Sequence, residues 1–233
     1  MKHKQAVLKL NKKEGKTPLE CLERFKKENP EYAEEKMTYA GRLDPLASGV
    51  LLVLVGEECK KKEKYLGLDK EYEIEVLFGF ATDTGDVLGL VTGQKNKELE
   101  LGEIKKSLES FVGKKTRVYP KYSSPALTGA KIQEKSGEIK SIKFLGNKYI
   151  TSAVLFKNIQ KKVGLVKGDF RQAKILDRWK KVINKKAEKY LVIKLKVHSS
   201  SGVYMRQLAE EIGQKFSVSS LALKIKRLKV GKY

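Results

Sequence analysis

Tyr39-Ala-Gly-Arg-Leu-Asp44-Pro-Leu-Ala-Ser-Gly-Val-Leu-Leu-Val-Leu-Val-Gly56 sets a single carboxylate in a polar, turn-forming segment immediately ahead of a wholly apolar run. Gly41 and Gly49 permit tight backbone paths, and Pro45 fixes one dihedral. Val50 to Val55 reads as a strand buried on both faces, so the loop carrying Asp44 is anchored to a rigid core. An Asp before Pro, taken alone, most often only starts a turn by accepting backbone amides. In this context the alternative is a catalytic carboxylate.

The rest of the chain bears on that choice. The 233 residues are 40% hydrophobic, enough for one sizeable core, and the pattern is consistent with a single domain over 1–233. Fifty Lys plus Arg against 28 Asp plus Glu leave a formal charge of +22. That excess attracts phosphate backbones and points to a polyanionic partner rather than to a membrane, since no segment reaches the roughly 18 apolar residues needed to span one. The N-terminus intersperses charges where a secretory signal needs an apolar centre. Cys21 and Cys59 make no disulfide framework, and His3 and His198 make no metal cluster. The expectation is a cytoplasmic protein with reduced thiols, no metal and no cofactor.

Ala6 to Leu10 reads as a short strand. Thr17-Pro18-Leu19-Glu20 opens a helix with Thr as N-cap, Pro at the first position and Glu completing a capping box, and the helix should run to about Glu28. Gly15-Lys16-Thr17 is not a phosphate loop, because that motif requires a glycine where Leu10 stands. In Glu71 to Phe80, Tyr72, Ile74, Val76, Phe78 and Phe80 share one face of a half-exposed strand and Glu71, Glu73 and Glu75 the other. Asp83-Thr84-Gly85 matches the aspartic-protease tripeptide, but that chemistry needs a second carboxylate and the chain has no second copy. Asp83 and Asp86 are read instead as turn residues that bind backbone amides.

Glu103 to Val112 has helical spacing closed by Gly113, and Tyr119-Pro-Lys-Tyr-Ser-Ser-Pro125 reads as a loop or an ordinary Pro-Ser turn. From 138 to 189 the pattern is ambiguous and admits an insertion, with strand-like pieces at Ile142 to Leu145 and Tyr149 to Phe156, a helix around Phe170 to Ile183, and Trp179 as a packing anchor. Tyr190 to Val197 is a strand. A Gly/Ser-rich turn follows it and then a helix bearing Arg206 in its first turn, where the helix dipole disfavours a cation. Such an arginine needs an acidic partner, and Asp44 is the candidate. The separated strand and helix patterns fit an α+β class.

Gly41-x-Leu-Asp-Pro-Leu-Ala-Ser-Gly-Val-Leu51 resembles the catalytic signature of the TruB family of tRNA pseudouridine synthases. The block Gly79-x-x-Thr-Asp-Thr-x-Asp-x-x-Gly89 is similar to a second family motif, and Gly202-Val-Tyr-Met-Arg206 to the family's Gly-Thr-Tyr-Ile-Arg. Ser220 to Leu228 resembles its closing motif, with Ile225 in place of the usual Leu. The resemblance covers about three quarters of the chain.

It implies the pseudouridine synthase fold: a mixed, largely antiparallel sheet with flanking helices and a central RNA-binding cleft. It implies conversion of uridine 55 in the T loop of tRNA, with the target base flipped out of the loop. Asp44 would be the nucleophile, Arg206 its partner, and Tyr72 the active-site tyrosine that stacks on the base. Tyr204 and Ile225 would line the pocket, while Arg42, Lys12, Lys226 and Arg227 would meet the RNA. Tyr39 stands where the family usually has His, and Asn11-Lys12-Lys13 replaces Asp-Lys-Pro. With 27 residues after Arg206, the expectation is a catalytic domain without the family's accessory C-terminal RNA-binding domain. The partner implied is tRNA, with no protein partner required and a monomer as the working form. The other readings are a synthase of another branch acting on ribosomal RNA, and a non-catalytic RNA-binding protein.

Overall fold

The apolar run after Asp44 forms β3, Ala47–Val55, and everything else is arranged around it. This is a computed structural model, and it describes residues 5–118, 134–183 and 188–233. The Tyr119 to Pro125 reading lies outside the described residues. Among the described residues, nine strands make one sheet: β1 (Val7–Lys12), β2 (Met37–Ala40), β3, β4 (Lys70–Thr82), β5 (Val91–Lys95), β6 (Gly113–Val118), β7 (Glu134–Thr151), β8 (Lys189–Ser199) and β9 (Ser220–Val230). The helices are α1 (Pro18–Glu28), α2 (Lys62–Leu66), α3 (Leu101–Ser107), α4 (Ser152–Leu165), α5 (Gln172–Val182) and α6 (Met205–Lys215). No helix among the described residues is long and apolar enough to cross a membrane.

The sheet runs β1-β3-β9-β4-β8-β7-β6, with β2 beside β3 and β5 beside β4. Ala47–Gly49 of β3 pairs in parallel with Ile225–Arg227 of β9, and the other strand-to-strand pairings described are antiparallel. The mixed, largely antiparallel sheet expected from the resemblance is therefore present. Its two faces hold separate cores. On one, α3 and α6 cover Tyr72, Ile74, Val76 and Phe78; on the other, α4 and α5 bury Leu155, Ile159, Ile175 and Trp179 against Leu77, Phe80 and Tyr190.

Residues 134–183 form one long strand and two helices that continue the sheet and build its second core. Trp179 is fully buried there, as a packing anchor should be.

Three local readings need correction. Phe80 does not share the Tyr72 face: Gly79, at φ +104°, turns the chain so that Phe80 packs at a tilt against Trp179 and Tyr190, with ring centroids 5.1 and 4.8 Å away. Tyr149 to Phe156 is not a strand throughout, because Thr151 accepts from the amide of Val154 and caps α4. The 103–112 helix is shorter than its spacing implies; α3 ends at Ser107, a 3-10 turn follows, and Gly113 at φ +106° opens β6. The capping box of α1 is formed as read, with the Thr17 hydroxyl accepting from Glu20 N and the Glu20 carboxylate accepting from Thr17 N. The outer face of β4 is held by cross-strand ion pairs, Glu71 to Lys196 at 3.0 Å, Glu73 to Lys194, and Glu75 to Lys148 at 2.8 Å.

Candidate active site

The loop between β2 and β3 is gripped from both ends by buried cations. Gly41, at φ +85°, turns the chain out of β2, and Ala47 N donates to Asp44 O at 3.0 Å to close the turn. Lys12, fully buried at the end of β1, donates to the carbonyls of Lys13, Lys16 and Pro45. Gly15 N adds a second bond to Pro45 O at 2.9 Å. Burial pushes the Lys12 ammonium down to about 8, against the pull of Asp44. From the other side Arg227, 2% exposed, donates through Nε to Val50 O at 2.7 Å and through Nη2 to Gly41 O at 3.1 Å. Its Nη1 reaches Arg42 O at 3.5 Å.

Both residues were expected to meet RNA. Their side chains instead satisfy loop carbonyls that would otherwise be stranded in the interior, so neither presents its charge to a phosphate.

The loop so fixed delivers Asp44 to Arg206, 162 residues away. Arg206 Nε donates to Asp44 Oδ2 at 2.8 Å and Nη2 to Oδ1 at 3.3 Å, a two-point grip. The arginine is 4% exposed, whereas 37% of the Asp44 side chain is open to solvent. The partner inferred for the arginine in the first turn of α6 is thus the one it has. Burial on its own would lower the Arg206 pKa, but the charges of Asp44 and Asp86 and the bonds to Asp44 outweigh it, and the net displacement is upward.

Behind the pair lies a buttress that the sequence reading only half described. Asp83 Oδ1 accepts from Leu90 N at 2.8 Å and Asp86 Oδ1 from Leu88 N at 2.9 Å, as turn residues should. The same turn also reaches the arginine, because Thr84 O accepts from Arg206 Nη1, and Asp86, buried and pushed upward in pKa by that burial, faces its charge. Gly85 makes room for this: a Cβ there would meet Glu210 Oε1 at 3.0 Å and Arg206 Cβ at 3.2 Å. Asp86 and Glu210 were not singled out as partners of Arg206. The signal was available for Glu210, which falls one helical turn after Arg206 on the same face.

Burial pushes the Glu210 carboxyl up to about 6, against Arg206 and with the help of Asp86 and Glu211. Its folded pKa lies above the ordinary 4.5, so the ionised form is the one the fold disfavours. The cost is absent below the unfolded pKa, grows as pH rises, and is complete above about 6. Glu210→Gln is therefore expected to raise thermal stability at about pH 8, by an amount of order 1 kcal/mol after solvent screening, and to leave it unchanged near pH 4. Paired melting curves at the two pH values check this; equal shifts at both would show that Glu210 is not displaced.

The other candidates divide. Tyr72 and Ile225 are 9% and 7% exposed and belong to one cluster with Leu43, Val203 and Met205, directly under the loop and the start of α6. Tyr204 is the N-cap residue of α6, half-buried, its carbonyl accepting from Leu208 N. Tyr39 lies in β2 opposite Val53, packed on the N-terminal cluster, with the Lys62 ammonium 5.9 Å above its ring. Arg42 is exposed at the loop tip. Lys226 is exposed opposite Glu73 on the charged face of the sheet, on the side away from Ile225.

A family model described as TruB family pseudouridylate synthase, N-terminal domain, matches residues 29–163. The chain is 29% identical over 231 residues to tRNA pseudouridine synthase B of Borreliella burgdorferi, covering 97% of this chain and 70% of that protein. It is 26% identical over 224 residues to the protein of the same name from Aquifex aeolicus, covering 96% of this chain and 68% of the relative. Among solved structures, the crystal structure of a Cbf5-Nop10-Gar1 complex aligns with a TM-score of 0.62 at 18% identity, over 97% of this chain. The chain spans about half the length of that neighbour, 48%. The fold is thus the one seen in that solved complex. The chain belongs to the TruB family of pseudouridine synthases.

Proposed function

We propose that this protein converts uridine to pseudouridine in tRNA, at uridine 55 of the T loop, with Asp44 as the nucleophile. The observation that carries the reading is the asymmetry of the ion pair: a buried arginine grips both oxygens of a carboxylate that remains open to solvent. A structural ion pair has no need to leave its acid accessible, whereas a nucleophile must. The names of the curated relatives, each a tRNA pseudouridine synthase B, support the substrate. The charge of +22 supports a polyanionic partner.

The reaction breaks the bond from C1′ of the ribose to N1 of uracil and makes one from C1′ to C5. N1 gains a proton and C5 loses one, so atoms and electrons balance without an oxidant or an energy source. Asp44 attacks at C1′ of the sugar as the uracil leaves, the bond so formed breaks again when the base rejoins, and Arg206 holds the carboxylate aimed. The freed base turns in the pocket over Tyr72 and Ile225, then rejoins through C5. The base has to leave its stack to reach Asp44, and an aromatic face compensates part of that cost.

The test is to incubate a tRNA transcript with the protein and map pseudouridine by carbodiimide-dependent reverse-transcription stops. One new stop at uridine 55 is expected. Conversion confined to ribosomal RNA, or none in either RNA, sinks the reading.

A further inference from the structure

The corner where α4 passes into α5 meets both of the turns on which Asp44 and Arg206 depend. At one end Lys162, in the last turn of α4, gives its ammonium to the Glu14 carboxylate. The two side chains are 14% and 28% exposed, so water screens the pair only in part. Leu165 closes the same helix over Gly15 so tightly that a Cβ there would lie 2.4 Å from Leu165 Cβ and 2.8 Å from Leu165 O. Gly15 is the residue whose amide, with the Lys12 ammonium, holds Pro45 O in the Asp44 loop. At the other end Arg171 gives Nη1 to Asp83 Oδ2 at 2.7 Å and Nη2 to Oδ1 at 3.4 Å. The carbonyl of the next residue in that turn, Thr84, accepts from Arg206.

The span between the two anchors is braced from within. Gln172 Nε2 donates to Val166 O at 3.1 Å and to Gly168 O at 2.7 Å, and Gln172 Oε1 accepts from Phe170 N at 2.9 Å. Arg171 is held at φ +63°, a left-handed backbone that a residue with a Cβ keeps only where its surroundings impose it. Val166 is buried in one cluster with Leu46, Val87 and Leu88. Leu46 belongs to the Asp44 loop, and Val87 and Leu88 to the turn behind Arg206, so apolar packing joins the same three pieces as the ion pairs.

We infer that Lys162 and Arg171 are positioning residues, through which the α4–α5 corner sets the Asp44 loop against the turn that backs Arg206. Their bearing on the reaction rests on the function proposed above. The loop leads into β3 and the turn follows β4, and β9 lies between those strands, so no ladder of hydrogen bonds fixes one directly to the other. The corner spans that gap. Misplacing reacting groups by about 1 Å can cost roughly a hundredfold in rate. Neither ion pair includes Asp44 or Arg206, so breaking both should slow the chemistry and leave RNA affinity alone.

The test is Lys162→Ala/Arg171→Ala, compared with Lys148→Ala/Lys194→Ala, which breaks two ion pairs on the outer face of β4. With saturating tRNA transcript, the single-turnover rate is expected to fall roughly thirtyfold in the first variant, with Kd for the transcript within about twofold. In the absence of RNA, hydrogen exchange at the amides of Gly15 and Ala47, which hold Pro45 O and Asp44 O, should speed about tenfold in that variant and not in the outer-face one. Exchange at Leu52, in the middle of β3, should not change. The reversed pair Glu14→Lys/Lys162→Glu should keep rate and protection within about threefold of the unmodified protein, and Glu14→Lys alone should not. If the double alanine variant does not fold, Lys162→Ala alone carries the same readouts, with a loss of about fivefold in rate.

An unchanged rate, a loss expressed only as weaker RNA binding, or an equal loss in the outer-face variant overturns the assignment. So does exchange that speeds as much at Leu52 as at Ala47, since that is a general loss of stability. Faster exchange at Gly15 and Ala47, with no pseudouridine made by the unmodified protein, supports the hold of the corner on the loop while refuting the activity.

Discussion

Asp44→Asn is expected to abolish pseudouridine formation, lowering the single-turnover rate by at least about a thousandfold, as removal of a nucleophile does. The substitution keeps the shape of the side chain, and an amide oxygen can still accept one bond from Arg206. It removes the negative charge that the reaction uses. The fold should survive, because Arg206 keeps Thr84 O as an acceptor and Asp86 and Glu210 as neighbouring carboxyls. The stability cost should be about 1 to 2 kcal/mol, below the usual figure for breaking a buried pair, since Asp44 is partly open to water. Rapid-quench measurements on a tRNA transcript, with melting curves on the same preparations, separate the two effects. A variant that turns over within tenfold of the unmodified protein would remove Asp44 from the chemistry.

Gly49→Ala should be the more damaging change to the molecule as a whole. Gly49 sits at φ +106°, and a Cβ there would lie 2.0 Å from Arg227 O and 2.9 Å from Arg227 N. Those are backbone atoms of β9, so the overlap cannot be relieved by a rotamer change. Relief requires the parallel pairing of Ala47–Gly49 with Ile225–Arg227 to open. Opening it withdraws the Arg227 guanidinium from Gly41, Arg42 and Val50, and the loop carrying Asp44 loses its hold. A loss of more than about 4 kcal/mol is expected, combining strain at a positive φ with overpacking and stranded carbonyls. Gly102→Ala is the control: it lies in α3 with nothing within 4 Å of the added carbon, and should gain roughly 0.5 to 1 kcal/mol from helix propensity. Denaturant midpoints for the two variants decide the matter; a Gly49→Ala protein as stable as the Gly102→Ala protein would show that β9 yields easily.

Much of the site was legible because its residues break local rules. Arg206 occupies a helix start that repels cations, and Asp44 sits between a glycine turn and an apolar strand, so each asked for a partner that its own neighbourhood lacks. Lys12 and Arg227 broke no such rule. Both lie in basic stretches of a basic chain, and nothing local reveals that their targets are carbonyls of a loop far off in sequence. Phe80 was misplaced because strict alternation presumes an unbroken strand, and the positive φ of Gly79 belongs to tertiary structure. At Thr151-Ser152 the signal was present: a threonine ahead of an amphipathic run is a helix start, but the β-branched residues on either side masked it. Glu210 was hidden by its exposed-looking neighbours Glu211 and Gln214, although its spacing from Arg206 was plain.

The position of β9 bears on how this protein is made. It lies between β3 and β4 in the middle of the sheet, yet it is residues 220–230 of the chain. A nascent polypeptide that has already released β1 to β8 from the ribosome still has a gap where β9 belongs, and the loop bearing Asp44 faces that gap without Arg227. Contacts of such long sequence separation form late and slowly. The loop bearing Asp44 therefore stays unset until almost the whole of the described chain has emerged, and partial translation products carry Asp44 without the contacts that place it.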